Sequence, residues 1–118
     1  MSVLVAIRDL FFSSKIDAVV TAAGIAAPVR AKRGESLVDQ VRAARPSRLL
    51  LDLAAEGALD AVRAIKADAE LARTEIVGYC RHTELERIRD ARSAGCDRVL
   101  TQGEFAELLP RLLAGDAL

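Results

Sequence analysis

The sequence predicts a single α/β domain over residues 1–118, built on a doubly wound, parallel, five-stranded sheet. Short apolar runs alternate five times with amphipathic segments along the chain. The connections between them are short, and no linker, repeat or low-complexity tract interrupts the pattern. Such alternation favours parallel strands joined by right-handed helical crossovers, which cover both faces of the sheet.

The first unit begins with residues 3–7 (VLVAI), which are continuously apolar and rich in β-branched side chains. This composition is typical of a strand buried on both faces. Residues 14–17 (SKID) resemble a capping box and predict the start of a helix, which Gly24 ends. Residues 27–32 predict a short and weakly marked second strand.

The middle of the chain repeats the pattern. Gly34 is placed at the start of the second helix, and Pro46 stops that helix because proline disfavours a helical residue before it. Residues 48–53 (RLLLDL) form the third predicted strand and end beside an acid. A third helix follows at about residues 59–69, with its apolar side chains at helical spacing.

The last two units are equally regular. Residues 74–80 (TEIVGYC) predict the fourth strand. Residues 83–86 (TELE) form a capping-box pattern that opens the fourth helix, and Gly95 ends it. A fifth strand at residues 98–101 and a fifth helix at about residues 104–113 complete the domain.

Composition excludes several classes of function. The 17 Lys and Arg residues balance the 17 Asp and Glu residues, so the chain has no bulk attraction to nucleic acid or to an anionic membrane. No charge-free apolar run approaches the roughly 20 residues of a membrane span. We expect a cytoplasmic protein, because the N-terminus has no signal-peptide pattern and two cysteines make no disulfide framework. No Cys/His spacing suggests a metal, and no cofactor is expected.

Sites in doubly wound sheets form at the carboxyl ends of the strands. The polar or reactive residues there are Arg8, Asp9, Asp52, Cys80, Arg81, His82, Thr101 and Gln102. The surrounding motifs resemble the receiver domain of two-component response regulators. LLLDL places Asp52 at the phospho-acceptor position of that family, and ARSAGCDRVLTQGEF resembles one of its signatures. The resemblance implies a flavodoxin-like (βα)5 fold with strand order 2-1-3-4-5.

The same resemblance marks departures at the phosphorylation site. Ile7 and Arg8 stand where the family has the acid pair that binds Mg²⁺, and only the following Asp9 is acidic. Cys80 replaces the switch Thr or Ser, and Gln102 replaces the Lys. The Met-Pro turn after the phospho-acceptor is missing. These departures predict a degenerate receiver, of the type called a pseudo-receiver.

Asp52 therefore has two interpretations. Mg²⁺ demands a near-octahedral oxygen shell, which Asp9 and Asp52 alone do not supply. We expect Asp52 to be an unphosphorylated acid, held by a cation or by loop amides, and Arg8 is the predicted ion-pair partner in the former metal site. The alternative is a genuine phospho-acceptor with an atypical metal site.

The sequence offers two other candidate sites, a reactive thiol and an anion-binding helix start. Cys80, near Arg81 and His82, could be a thiol of lowered pKa, although a small replacement for Thr is the favoured interpretation. Cys96 is predicted to be a packing residue. Residues 13–15 (SSK), at the predicted start of the first helix, could hold a phosphate or nucleotide. Ser14 as a plain helix cap is the favoured interpretation.

The predicted function is a non-enzymatic signalling or protein-interaction module. In receivers the usual partner surface is the face of the fourth helix, fifth strand and fifth helix, through which a homodimer is also conceivable. The residues assigned to this face are Leu85, Arg89, Val99, Leu108 and Leu112. Burial within the fifth helix could equally account for its leucines. A small-anion or nucleotide binder is the alternative from another class.

Overall fold

The computed structural model describes residues 2–118, in which five strands alternate with five helices. The strands β1 to β5 are Val3–Ala6, Val29–Arg30, Arg48–Asp52, Glu75–Cys80 and Arg98–Thr101. The helices α1 to α5 are Leu10–Ala23, Leu37–Ala44, Ala58–Ala67, Leu85–Ala94 and Gln102–Ala114. No helix among the described residues is long and apolar enough to cross a membrane.

The sheet has the order β2-β1-β3-β4-β5, and every neighbouring pair is parallel. This confirms the predicted flavodoxin-like (βα)5 topology. Because all strands run in the same direction, their carboxyl ends meet at one side of the sheet, which is called the carboxyl edge below. The central position of β3 places Asp52 at the middle of that edge.

The strand β3 divides the core into two clusters. Leu49 and Leu51 belong to a cluster with buried residues of α2, α3 and α4, whereas Leu50 belongs to one with residues of α1 and α5. Successive strand residues point to opposite faces, so an all-apolar strand must be covered on both sides. The second cluster also contains most of the few aromatic rings. Within it, Tyr79 stacks on Phe105 with ring centroids 4.4 Å apart.

Two predicted helix starts are wrong. Helix α1 begins at Leu10, not after residues 14–17, because the side chain of Asp9 accepts hydrogen bonds from the first turn. Helix α2 begins at Leu37, where Ser36 accepts a hydrogen bond from the Asp39 N–H, and not at Gly34. Both starts follow from caps that compete with nearby candidates in the sequence.

The last two helices also differ from the sequence pattern. The predicted box at residues 83–86 does not form, because Glu84 is the N-cap residue of α4 and its carboxylate accepts from the Arg81 N–H. The real capping box opens α5, where Thr101 and Glu104 bond reciprocally to each other's backbone N–H. Helix α5 therefore starts two residues earlier than predicted.

Arg48 ties the sheet to the end of α5 from a buried position. Arg48 is only 3% exposed, and its Nε lies 2.5 Å from a carboxylate oxygen of Glu75 on β4. Its other two nitrogens donate to the backbone carbonyls of Leu112 and Asp116, at 3.0 and 2.8 Å. All three guanidinium nitrogens are therefore bonded, which offsets the cost of burying the charge.

We predict that Arg48→Met lowers the free energy of unfolding by about 3 kcal/mol, because it leaves a carboxylate and two carbonyls without their donor. Arg98→Met is the matched control, since the exposed Arg98 guanidinium also bonds a C-terminal carbonyl, that of Leu118. The control should cost less than about 1 kcal/mol. Urea unfolding measures both values, and equal losses in the two variants would contradict the role assigned to Arg48.

Candidate functional site

The carboxyl edge collects most of the side chains that the sequence singled out. Arg8 follows β1, Asp52 ends β3, Cys80 ends β4, and Gln102 is the first residue of α5. Because β1 and β4 both flank β3, the β1 and β4 ends lie on either side of Asp52. Gln102 follows β5, which is two strands away from β3.

Asp52 is held by its own loop. It is partly exposed, and its Oδ1 accepts a hydrogen bond of 2.9 Å from the Ala54 N–H. The backbone N–H of Leu53 bonds to the carbonyl of Tyr79 on β4, which fixes the residue that follows the acid. Of the two holders expected for Asp52, the loop amide is the one present.

The predicted ion pair between Arg8 and Asp52 is wrong. Among residues 2–118, Arg8 has no carboxylate oxygen within ion-pair distance, although both side chains line the same cleft. Arg8 is exposed. An exposed pair gains little over separate hydration of its partners, and ordering a long side chain costs entropy. The guanidinium therefore remains in solvent.

Asp9 caps helix α1. Its Oδ1 accepts hydrogen bonds from the backbone N–H groups of Phe11, at 2.8 Å, and Phe12, at 3.3 Å. Its backbone is extended, as an N-cap requires, and the carboxylate also complements the positive end of the helix. The acid that the sequence left as a second metal ligand is thus committed to starting a helix.

The donor set at the carboxyl edge does not fit Mg²⁺. The ion prefers near-octahedral coordination by oxygen and is bound through carboxylates. Here positions 7 and 8 supply a hydrocarbon and a cation, while Asp9 is engaged in its cap. Among residues 7–9 and the end of β3, Asp52 is thus the one carboxylate that caps no helix. Within the described part of the chain, no group of three or more His, Cys, Asp or Glu side chains is placed to hold a metal.

The Cys80 thiol is not activated. The residue is 2% exposed, and burial, together with the nearby Glu84 carboxylate, raises the pKa of the thiol. The neutral thiol is the poor nucleophile of the two forms, so the hypothesis of a thiol with lowered pKa is wrong. His82, its suggested partner, is exposed.

Cys96 has the predicted packing role. Burial raises the pKa of its thiol to about 11. Its sulfur lies 3.1 Å from the carbonyl oxygen of Arg98 and 3.5 Å from that of Ile76. Both distances suit a weak S–H donor in a core position.

The suggested anion site at residues 13–15 loses its basis because α1 starts at Leu10, one turn earlier. Ser13 and its neighbours therefore lie inside the helix and not at its N-terminus. The Ser13 hydroxyl accepts a hydrogen bond from Arg30, whose guanidinium also pairs with Asp17 at 2.6 Å.

The predicted interaction face is only partly accessible. Leu85 is 67% exposed and Arg89 is exposed, whereas Val99 and Leu108 are half-buried against the core. Leu112 was assigned to this face wrongly: it is fully buried, because helical spacing puts it on the inner side of α5.

A cleft at the carboxyl edge was not predicted. It has a volume of about 540 Å³ and lies between the starts of α2 and α3, above the ends of β1 and β3. Its lining includes Asp52 and three cations: Arg8, Lys32 and Arg33. The sequence carries a faint signal for it, since alanines cluster at residues 54–64, but only the fold brings this segment against the loop after β2.

Comparison with solved structures identifies the fold. A response regulator from Hahella chejuensis has a TM-score of 0.79 and 18% identity over 99% of this chain and 98% of that one. A response regulator in red light signaling of R. palustris has a TM-score of 0.74 and 22% identity, covering 94% and 90% of the two chains. The chain has the fold of response-regulator receiver domains.

A third neighbour bears on the metal question. The receiver domain of a sensor histidine kinase from Pseudomonas aeruginosa contains a magnesium ion coordinated in its active site cleft. It has a TM-score of 0.70 and 18% identity, covering 96% of this chain and 97% of that one. Neither protein-family models nor curated proteins give a match. Identities this low establish the receiver fold and not its chemistry.

We predict that Asp9→Ala lowers the free energy of unfolding by about 1 kcal/mol, because the first turn of α1 loses its cap. Asp9→Ser should retain most of the stability, since a serine oxygen also accepts from that turn. Thermal unfolding at neutral pH, with and without Mg²⁺, checks both variants. If Asp9→Ala were as stable as the wild type without Mg²⁺ and less stable only with it, Asp9 would be a metal ligand and not a cap.

Proposed function

We propose that this receiver-fold domain is a protein-interaction module in signal transduction that does not use phosphoryl transfer at Asp52. The observation that carries the proposal is the donor set at the carboxyl edge: Ile7 and Arg8 follow β1, Asp9 caps α1, and Asp52 is the acid that ends β3. The proposal makes the domain a non-enzymatic pseudo-receiver that occupies one state without phosphorylation.

The chemistry of phosphoryl transfer supports this proposal. The transferred group carries negative charge on its oxygens, and enzymes stabilise it with a metal ion and fixed donors. Arg8 replaces an anionic ligand by a cation, which repels Mg²⁺. Gln102 is uncharged, and the buried thiol of Cys80 is a weaker donor than a hydroxyl. Each change removes a part that the reaction needs.

The proposed partner is a protein, bound through the accessible part of the face formed by α4, β5 and α5. Leu85, which is 67% exposed, is the proposed apolar contact of this surface, and the exposed Arg89 is its neighbour one turn along α4. A second copy of the chain is one candidate partner. The balanced charge favours neither nucleic acid nor a membrane surface, and we propose a cytoplasmic location.

A phospho-accepting Asp52 is the second candidate function. One observation favours it: the carboxylate ends the central strand, is partly exposed, and opens into a cleft. An incoming phosphoryl donor would therefore have access to it. The two candidates differ in whether Mg²⁺ and a phosphoryl mimic bind together at this carboxylate.

Beryllium fluoride with Mg²⁺ separates the two candidates. We predict that the thermal midpoint changes by less than about 1 °C when both are added, because no metal site orders the mimic. A rise of more than about 5 °C that disappears in Asp52→Asn would establish the phospho-acceptor instead.

The double variant Ile7→Asp/Arg8→Asp is the positive control. It restores two carboxylates next to Asp52, so a Mg²⁺-dependent rise in its thermal midpoint should appear where the wild type shows none. A wild type that responds to Mg²⁺ as strongly as this variant would contradict the argument from the donor set.

A further inference from the structure

The cleft at the carboxyl edge has the size and lining of a small-molecule site. Its volume of about 540 Å³ falls within the range of roughly 300–1,000 Å³ that is usual for ligand pockets. It lies beside β1, where the strand order reverses between β2 and β3. Ligands of doubly wound sheets bind outside the carboxyl ends of strands at such a point.

The floor of the cleft is apolar and open because its side chains are short. Six alanines line it: Ala6, Ala31, Ala55, Ala58, Ala61 and Ala64. Leu51 at the end of β3 and Leu37 and Val38 at the start of α2 complete the apolar surface. Larger side chains at the alanine positions would close this space, so the sequence leaves room here while the core beneath is filled.

One wall of the cleft is held in a fixed shape by Gln40. Its side-chain Oε1 accepts from the Lys32 N–H at 2.7 Å, and its Nε2 donates to the carbonyls of Lys32, at 3.1 Å, and Glu35, at 3.2 Å. These three bonds tie the loop after β2 to helix α2. A loop ordered in this way presents its side chains without a large entropy cost on binding.

The cations of the cleft are available to a ligand. Among residues 2–118, the side chains of Arg8, Lys32 and Arg33 make no ion pair and no hydrogen bond. Four carboxylates line the same cleft, and none of them is within ion-pair distance of these cations. Asp52 accepts from its own loop, Asp60 pairs with Arg63 at 3.0 Å, and Glu35 and Glu56 make no ion pair among the described residues.

The N-terminus of helix α3 also faces the cleft, and the carboxylate in its first turn, that of Asp60, pairs with Arg63. Its N-cap is Gly57, so no side chain caps the helix, and both Gly57 and Ala58 line the cleft. The partial positive charge of a helix N-terminus favours anions. It acts here together with the three free cations.

We propose that this cleft binds a small molecule that combines an apolar body with one anionic group, a carboxylate or a phosphate. The body would cover the alanine floor, and the anion would lie between Arg8, Lys32 and Arg33. This site is separate from the one suggested at residues 13–15. It goes beyond the proposed function, because ligand binding here does not depend on whether Asp52 accepts a phosphoryl group.

The test is a titration of the ¹⁵N-labelled protein with 1-naphthoate and 1-naphthyl phosphate, followed by NMR without Mg²⁺. We expect saturable shifts at the amides of residues 31–38 and 54–64 for at least one of the two. The stronger probe identifies the anion as carboxylate or phosphate. Uncharged 1-naphthol should bind at least about tenfold more weakly, since it lacks the charged contact.

Matched variants locate the site. Ala64→Leu should weaken the binding about tenfold by filling the cleft, whereas Ala67→Leu should leave it unchanged, because Ala67 is an exposed alanine of the same helix outside the lining. Arg33→Gln should weaken it about tenfold, and Arg73→Gln, at another exposed arginine, should not. Asp52→Asn should still bind, which separates this test from that of phosphorylation.

Three outcomes would overturn the proposal. The first is that neither anionic probe saturates, or that the shifts spread over the whole chain. The second is that 1-naphthol binds as well as the anions. The third is that Ala64→Leu and Ala67→Leu bind equally well, which would put the probe elsewhere on the surface.

Discussion

The hydrogen bonds that the Asp9 carboxylate accepts from the first turn of α1 constrain the carboxyl edge more than any other contact there. They set the first residue of the helix, and with it the direction in which the chain leaves β1. They also occupy the one acid near Asp52 that the sequence offers as a second metal ligand. A helix that began later, after Ser14, would have left Asp9 in a loop and free to coordinate an ion. The hydrogen bonds that cap α1 therefore engage the carboxylate that would otherwise be available to a metal ion.

The remaining side chains at this edge are consistent with that outcome. Asp52 is held by an amide of its own loop, Arg8 extends into solvent, and the thiol of Cys80 is buried and uncharged. At the other end of the strands, where β3 and β4 begin, Arg48 joins β3, β4 and the end of α5. The receiver fold is therefore maintained by contacts that are independent of the phosphorylation chemistry suggested by the resemblance.

Sequence patterns predicted the sheet well because hydrophobic periodicity is a property of many residues at once. Five apolar runs, separated by helices, indicate a parallel doubly wound sheet, and the order 2-1-3-4-5, which the resemblance to receiver domains implies, is confirmed. Helix starts depend on one or two hydrogen bonds, and neighbouring candidates compete for them. The capping box of Thr101 and Glu104 has a T-x-x-E pattern in the sequence, but its first residue also ends β5, so the pattern does not distinguish a helix start from a strand.

Contacts between individual side chains were the least predictable. Strand order alone predicts the Arg8–Asp52 pair, but an exposed guanidinium has many rotamers and gains little free energy from one partner. The cleft was not foreseeable for a different reason. Its walls come from the loop after β2 and from α3, which are far apart in sequence and meet only in the folded sheet. A binding surface of this kind has no local motif.

The most direct test of the central claim, that the carboxyl edge has no Mg²⁺ site, is isothermal titration calorimetry of the wild-type domain with Mg²⁺. The account predicts no saturable heat up to about 10 mM Mg²⁺, since one free carboxylate does not hold a strongly hydrated ion. The result that would contradict it is saturable binding of one Mg²⁺ per chain in the wild type that is abolished by Asp52→Asn.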